Sequence, residues 1–220
     1  LDNKFVVIKK SRYLNINKKK LFECYSYRGQ NKTFILSKNI LKKLKNKIKS
    51  YDCVILSDFG HGFFSEELYR IIQKEAKFLS INVQTNAGNR GYNLATKYKK
   101  TDNLLLDLPE LQLATKDNSS NVEDLIKKLN KKINSKYFAI TKGKDGIFIF
   151  DAKQKKKISL SAFEAKPLDT MGAGDSVLGI SSLLFSINAP LEVVAYISNL
   201  FGAVSTSILG HSDFIKKKRY

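Results

Sequence analysis

Apolar positions along this chain fall into two alternating rhythms. Short apolar runs at 53–56, 78–83, 104–106, 137–141 and 147–150 read as buried strands, with a shorter one at 157–160. Between them the spacing changes to that of helices. Residues 36–48 read as a basic amphipathic helix with Ile40, Leu41, Leu44 and Ile48 on one face and Lys on the other. A helix at 66–77 follows, then a short one opened by Pro109, whose fixed φ suits a first helical turn. Asn118-Ser119-Ser120-Asn121 reads as loop and cap for a helix at 122–133. Two apolar helices at 173–187 and 191–209 close the chain, parted by Asn188-Ala189-Pro190. At the start, strands at 5–8 and 21–25 flank a polar turn at 15–20. Strands alternating with helices imply an α/β fold: a mostly parallel sheet with helices on both faces.

The 220 residues suffice for a buried core, and no apolar stretch approaches the length of a membrane span. Leu1 rather than Met at the start suggests an excised fragment. The formal charge is +19, which invites a nucleic-acid reading. Only Arg12, Arg28, Arg70, Arg90 and Arg219 are arginines, however, and arginine does most bidentate recognition of bases and phosphates. The lysines read as solvated faces, so no nucleic-acid partner is expected. Cys24 and Cys53 lie in strand-like runs without a CxxC or Cys/His cluster, and read as buried free thiols of a cytoplasmic protein.

The chemistry concentrates in Asp169-Thr170-Met171-Gly172-Ala173-Gly174-Asp175, directly before an apolar helical run. Small residues let a ligand approach the backbone, and amides at a helix start form a positive concavity suited to a phosphoryl group in transit. An Asp beside that concavity can take a proton from an attacking hydroxyl. The alternative is a Gly-rich turn whose Asp only complements the helix dipole.

This segment resembles the D-T-x-[GA]-A-G-D signature of the PfkB, or ribokinase-like, carbohydrate kinases. Further matches follow in register. Thr141-Lys142-Gly143-Lys144-Asp145-Gly146 resembles the family's nucleotide loop, and Asn199-Leu200, Ala203 and Gly210 its adenine-side helix and following loop. Asp107-Leu108-Pro109-Glu110 falls at its N-x-x-E, and Ser57-Asp58-Phe59-Gly60-His61-Gly62 resembles a loop of the heptose-7-phosphate kinase branch. The resemblance runs from about Phe5 to the end. It implies a ribokinase-like three-layer α/β/α fold, with residues 1–30 as lid strands and 31–220 as a kinase core lacking the family's N-terminal strands.

What the resemblance implies for function is ATP-dependent phosphorylation of a sugar or sugar phosphate. Asp175 would be the base, with the amides of Gly172, Ala173 and Gly174 as the anion hole. Thr141, Gly143, Gly146 and Asn199 would bind ATP; Asp58, Gly60, His61, Asn86 and Arg90 the sugar; Asp107 and Glu110 a magnesium ion, through water. It also allows a homodimer through the lid, and a fused nucleotidyltransferase domain.

Departures from the pattern leave alternatives open. Asp107 replaces the usual Asn, His61 stands for a Lys, and the amide-rich 82–91 segment replaces an acidic loop. A neutral imidazole grips a phosphate less well than an ammonium. A catalytically silent kinase-like module, or less readily a basic nucleic-acid-binding protein, therefore stand beside the kinase reading. Steep salt dependence on random duplex would mark the latter.

Overall fold

The computed structural model describes residues 9–16, 20–26, 36–86, 88–163, 167–208 and 215. Its first element is a hairpin of β1 (Lys9–Leu14) and β2 (Lys20–Ser26), antiparallel with a register shift at Tyr13/Leu14. The strand expected at 5–8 lies outside the described residues. The observed β1 instead runs through Lys-Lys-Ser-Arg-Tyr-Leu, whose side chains are mostly exposed. Such a strand has no buried face, so it lacks the alternation that marks strands in a sequence. Cys24 lies here and is exposed, which corrects the expectation of a buried thiol; Cys53 is half-buried.

The remaining elements are α1 (Lys38–Lys49), β3 (Val54–Asp58), α2 (Glu66–Glu75), β4 (Leu79–Val83), β5 (Lys100–Asp107), α3 (Leu108–Thr115), α4 (Val122–Asn130), β6 (Asn134–Thr141), β7 (Ile147–Asp151), β8 (Lys156–Leu160), α5 (Ala173–Ser186) and α6 (Leu191–Thr206). The sheet runs β3-β4-β5-β6-β7-β8, parallel as far as β6 and antiparallel beyond. The expected mostly parallel sheet is thus present, finished by an antiparallel edge made of the last hairpin.

Alternation along the strands separates two cores. Leu104, Leu106, Phe138, Ile140 and Phe150 pack with Leu68, Ile72, Leu125, Ile126 and Leu129 from α2 and α4. On the opposite face Leu105, Tyr137, Ala139, Ile147 and Ile149 pack with Val177, Leu178, Phe185, Val194 and Ala195 from α5 and α6. Tyr137 and Phe185 stack at 4.2 Å between ring centroids. This is the three-layer arrangement. At β3, the opposite edge strand from β8 among the described residues, Ile55 is 41% exposed.

Helix ends depart from expectation by a few residues, for identifiable reasons. Ser37 and Ser65 cap α1 and α2 through their side chains, which sets where those helices start. The fourth helix stops at Asn130 instead of 133, and Ile133 returns to the core after a turn. The last stops at Thr206 instead of 209.

Candidate active site

The parallel strands bring the singled-out residues to one edge. Asp58 is in register with Val83, the neighbour of Gln84, and Asp107 with Thr141. All four therefore stand at the carboxyl ends of adjacent strands, where α/β sheets place their ligands. Helix α5 delivers its N-terminus to the same edge, and Gln84 Nε2 donates to Asp175 Oδ1 at 3.2 Å.

Helices α1 to α4 are capped by the side chains of Ser37, Ser65, Asp107 and Asn121, whereas the α5 N-cap, Gly172, supplies none. Gly172 has φ 81°, a left-handed conformation that favours glycine, and this sharp turn starts the helix. Ala173 N–H reaches back to Thr170 O at a long 3.4 Å. The turn before it is pinned by Leu168 and Asp169 N–H, both donating to Thr206 O, and by Met171 N–H to Asp169 Oδ1 at 3.0 Å. Helix starts leave amides without intrahelical partners, so this end carries positive potential beside the exposed Asp175.

Two of the residues expected at a nucleotide, Gly146 and Asn199, meet at one short segment. Gly146 has φ 83°, and a Cβ there would lie 2.0 Å from Leu160 O, so only glycine fits. Asn199, on α6, donates from Nδ2 to Ser161 O at 2.7 Å. The backbone at 160–162 thus joins the 142–146 turn to α6. Gly143 is left-handed as well, but open to solvent around its α-carbon. Thr141 ends β6 just before the turn. Gly210 lies outside the described residues.

Asp107 and Glu110 form a reciprocal capping box on α3: Asp107 Oδ1 accepts from Glu110 N at 2.7 Å and Glu110 Oε2 from Asp107 N at 2.9 Å. Glu110 Oε1 also accepts from Thr85 N at 2.8 Å. Burial, and then the Asp107 charge, push the Glu110 carboxyl up to about 7; burial raises Asp107 too. Among the described residues no cluster of three or more His, Cys, Asp or Glu forms a metal centre. Both oxygens of Glu110 thus accept backbone amides while Asp107 gives one to the capping box, a donor set that suits contact with a hydrated magnesium ion through water and not a protein cage.

Asp58 turns inward. It is 2% exposed, and its carboxylate accepts from Gly60 N at 2.9 Å, from Tyr98 Oη at 2.6 Å, and pairs with Lys97. Burial, followed by the Asp58 hydrogen bond and charge, pushes the Tyr98 phenol far up. Around Asp58 the amide-rich segment is bonded into place: Asn86 Nδ2 and Asn89 Nδ2 donate to Phe59 O, and Asn93 Nδ2 to Asp58 O and Gln84 O. His61 and Arg90 are exposed on this surface, and Tyr25 of the hairpin comes within 6.4 Å of the His61 ring. So the structure gathers Asp58, Gly60, His61 and Asn86 around one loop, and Asp175 beside Gln84. The Gln84, Lys97 and Tyr98 contacts were not singled out from sequence, because the partners lie 91, 39 and 40 residues away.

Comparison with known proteins decides the family, since the pfkB family carbohydrate kinase pattern matches residues 10–217. The chain belongs to the pfkB family of carbohydrate kinases. It is 30% identical over 179 residues to the Bifunctional protein HldE of Campylobacter curvus, covering 80% of this chain and 37% of that protein. The HldE protein of Aliarcobacter butzleri is 32% identical, over 79% of this chain and 36% of that one. The chain thus spans little more than a third of the curated relatives it matches. Ribokinase from Arabidopsis thaliana, solved with ribose and ATP, shares the fold at a TM-score of 0.63 and 16% identity, over 86% of this chain and 60% of that one. Phosphofructokinase-2 from Escherichia coli, solved with potassium, does so at 0.63 and 18%, over 80% and 58%. No described helix is long and apolar enough to cross a membrane.

Proposed function

We propose that this chain carries the phosphoryl-transfer portion of an ATP-dependent kinase acting on a hydroxyl of a sugar or sugar phosphate. The observation that carries the reading is Asp175, exposed beside an α5 N-terminus without a side-chain cap and met by Gln84 from the carboxyl edge of the sheet. Asp175 would take the proton of the substrate hydroxyl as its oxygen bonds to the γ-phosphorus. The bond to the departing ADP breaks on the opposite side, and the proton stays on the carboxylate. The amides of Gly172, Ala173 and Gly174 would donate to the phosphoryl oxygens, where charge is spread during transfer.

Thr141, Gly143 and Gly146 would line the triphosphate and ribose, with Asn199 on the adenine side. Asp107 and Glu110 would hold magnesium through water, and the bound ion would neutralise phosphate charge. Asp58 would act on the sugar by shaping its loop through Gly60, leaving His61, Asn86 and Arg90 at the surface to meet it. The loop's likeness to the heptose-phosphate branch supports a sugar phosphate over a free sugar. ATP as substrate and two free thiols suit a cytoplasmic protein. Tyr13 and Phe22 stack at 4.5 Å on the hairpin, 50% and 53% exposed, and would carry a second copy of the lid in a homodimer. Because the relatives are named bifunctional and are much longer than this chain, a nucleotidyltransferase domain is proposed for the rest of the protein.

The test is ADP release by the full-length protein with ATP and a panel of hexose and heptose phosphates. Release that depends on one of them is expected. Binding of ATP with no sugar-dependent release would leave a silent binding module in its place.

A further inference from the structure

Gln84 stands out because everything about it except its side chain is already committed. Its backbone N–H donates to Asp58 O at 2.9 Å, and its C=O accepts from Asn93 Nδ2 at 3.0 Å. The next amide, Thr85 N–H, is fixed on Glu110 Oε1 at 2.8 Å. A residue anchored at both backbone groups, at the end of a strand buried along its whole length, offers its side chain from a rigid base. That side chain spans to another layer of the fold and donates to Asp175 Oδ1. The donor must be Nε2, since an ionised carboxylate only accepts.

Asp175 itself has little else to hold it. It is exposed in the first turn of α5, and the N-cap Gly172 has no side chain. Among the described residues Gln84 is its one side-chain hydrogen-bond partner. A carboxylate in that setting samples several rotamers, yet a base works only within hydrogen-bond reach of the proton it removes. An amide fixed to the sheet selects one rotamer and occupies one oxygen, leaving Oδ2 for the incoming hydroxyl.

We infer that Gln84 is a positioning residue for the base. It ties Asp175 on α5 to the strand end that also carries the Glu110 contact. The Gln84-Thr85 pair then joins the proton-accepting and the metal-side carboxylates through two successive residues, one by side chain and one by backbone. This inference rests on the assignment of Asp175 as base, and it concerns geometry, so it predicts a loss in kcat with nucleotide binding spared.

Two sets of variants test it in the full-length protein. Gln84→Met keeps the length of the side chain and removes the donor; kcat should fall about ten-fold while KM for ATP stays within about two-fold. Gln84→Glu should fall further, because two carboxylates then face each other. The second readout does not use activity: a double-mutant cycle in thermal unfolding with Asp175→Asn. Gln84→Glu alone should lower the unfolding midpoint, and Gln84→Glu with Asp175→Asn should restore it, because a carboxylate and an amide again face each other with their roles exchanged. Strictly additive midpoints would overturn the contact. Unchanged kcat in Gln84→Met, with turnover lost in Asp175→Asn, would overturn this inference alone. Turnover retained in Asp175→Asn would overturn the base assignment, and the inference with it.

Discussion

At the proposed phosphoryl end of the site the chain is held mainly by backbone, whereas on the proposed sugar side it is held by side chains. The phosphoryl end consists of the Gly172 turn pinned to Thr206 O, and the Gly146 turn pressed on Leu160 O. Both sit over strands whose side chains are almost wholly buried between two helix layers. The proposed sugar side consists of Asp58, Tyr98, Lys97 and a set of asparagines bonded to main-chain carbonyls, with Tyr25 of the hairpin 6.4 Å from the His61 ring. The difference has a chemical sense. Triphosphate is the same in every kinase of this kind and needs close, fixed amides. Sugars differ, and a loop positioned by side chains can be reshaped by single substitutions without disturbing the sheet.

This comparison can be broken from either side. The largest effect is expected from Gly146→Ala, which places a methyl group against Leu160 O in a left-handed conformation. Strain and displacement together should cost about 3 kcal/mol, read in calorimetry as a roughly hundred-fold loss of ATP affinity. Amide exchange at Gly60 and Asn89 should not change. Asp58→Ala should do the reverse: it leaves the buried Tyr98 hydroxyl without its acceptor and Lys97 with Asn93 Oδ1 but no counter-charge, for about 2–3 kcal/mol in denaturant unfolding. Exchange at Gly60 should then accelerate while ATP affinity holds. If both variants damage both ends equally, the two regions are one cooperative unit and the distinction falls.

Glu110 should leave a smaller, pH-dependent mark. Its folded carboxyl titrates near 7 against an ordinary 4.5, so between those values the folded state holds more protons than the unfolded one. Stability from this group therefore falls as pH rises from about 4.5 to about 7, by at most about 1.4 kcal/mol per pH unit. Glu110→Gln should flatten that slope in urea titrations across the same window. An unchanged slope would show that the carboxyl is not strained. The smallest effect concerns the hairpin. Tyr13→Ser with Phe22→Ser should change stability by less than about 1 kcal/mol, yet shift sedimentation from dimer to monomer if the stacked pair carries a second copy.

The sequence displayed what is local and periodic. Strands such as Leu104-Leu105-Leu106 announced themselves by burial on both faces, and the phosphoryl loop by seven consecutive residues ending in Asp175. Asp107 and Glu110 were visible as a spaced pair, although their capping box became apparent only with the α3 geometry. What stayed hidden depends on distant partners. Asp58 read as a residue facing the sugar because nothing local says that Tyr98 and Lys97 fold back over it. Gln84 was one amide among several until α5 brought Asp175 to it. The polar β1 escaped because a strand exposed on both faces has no hydrophobic period to detect.

The central claim is that Asp175 is the proton acceptor beside a phosphoryl-binding helix start. Its most direct test is single-turnover phosphoryl transfer by Asp175→Asn in the full-length protein, with ATP affinity measured on the same sample. The account predicts transfer slowed by at least about a thousand-fold with ATP affinity within about two-fold of the native protein. Transfer at the native rate would contradict it.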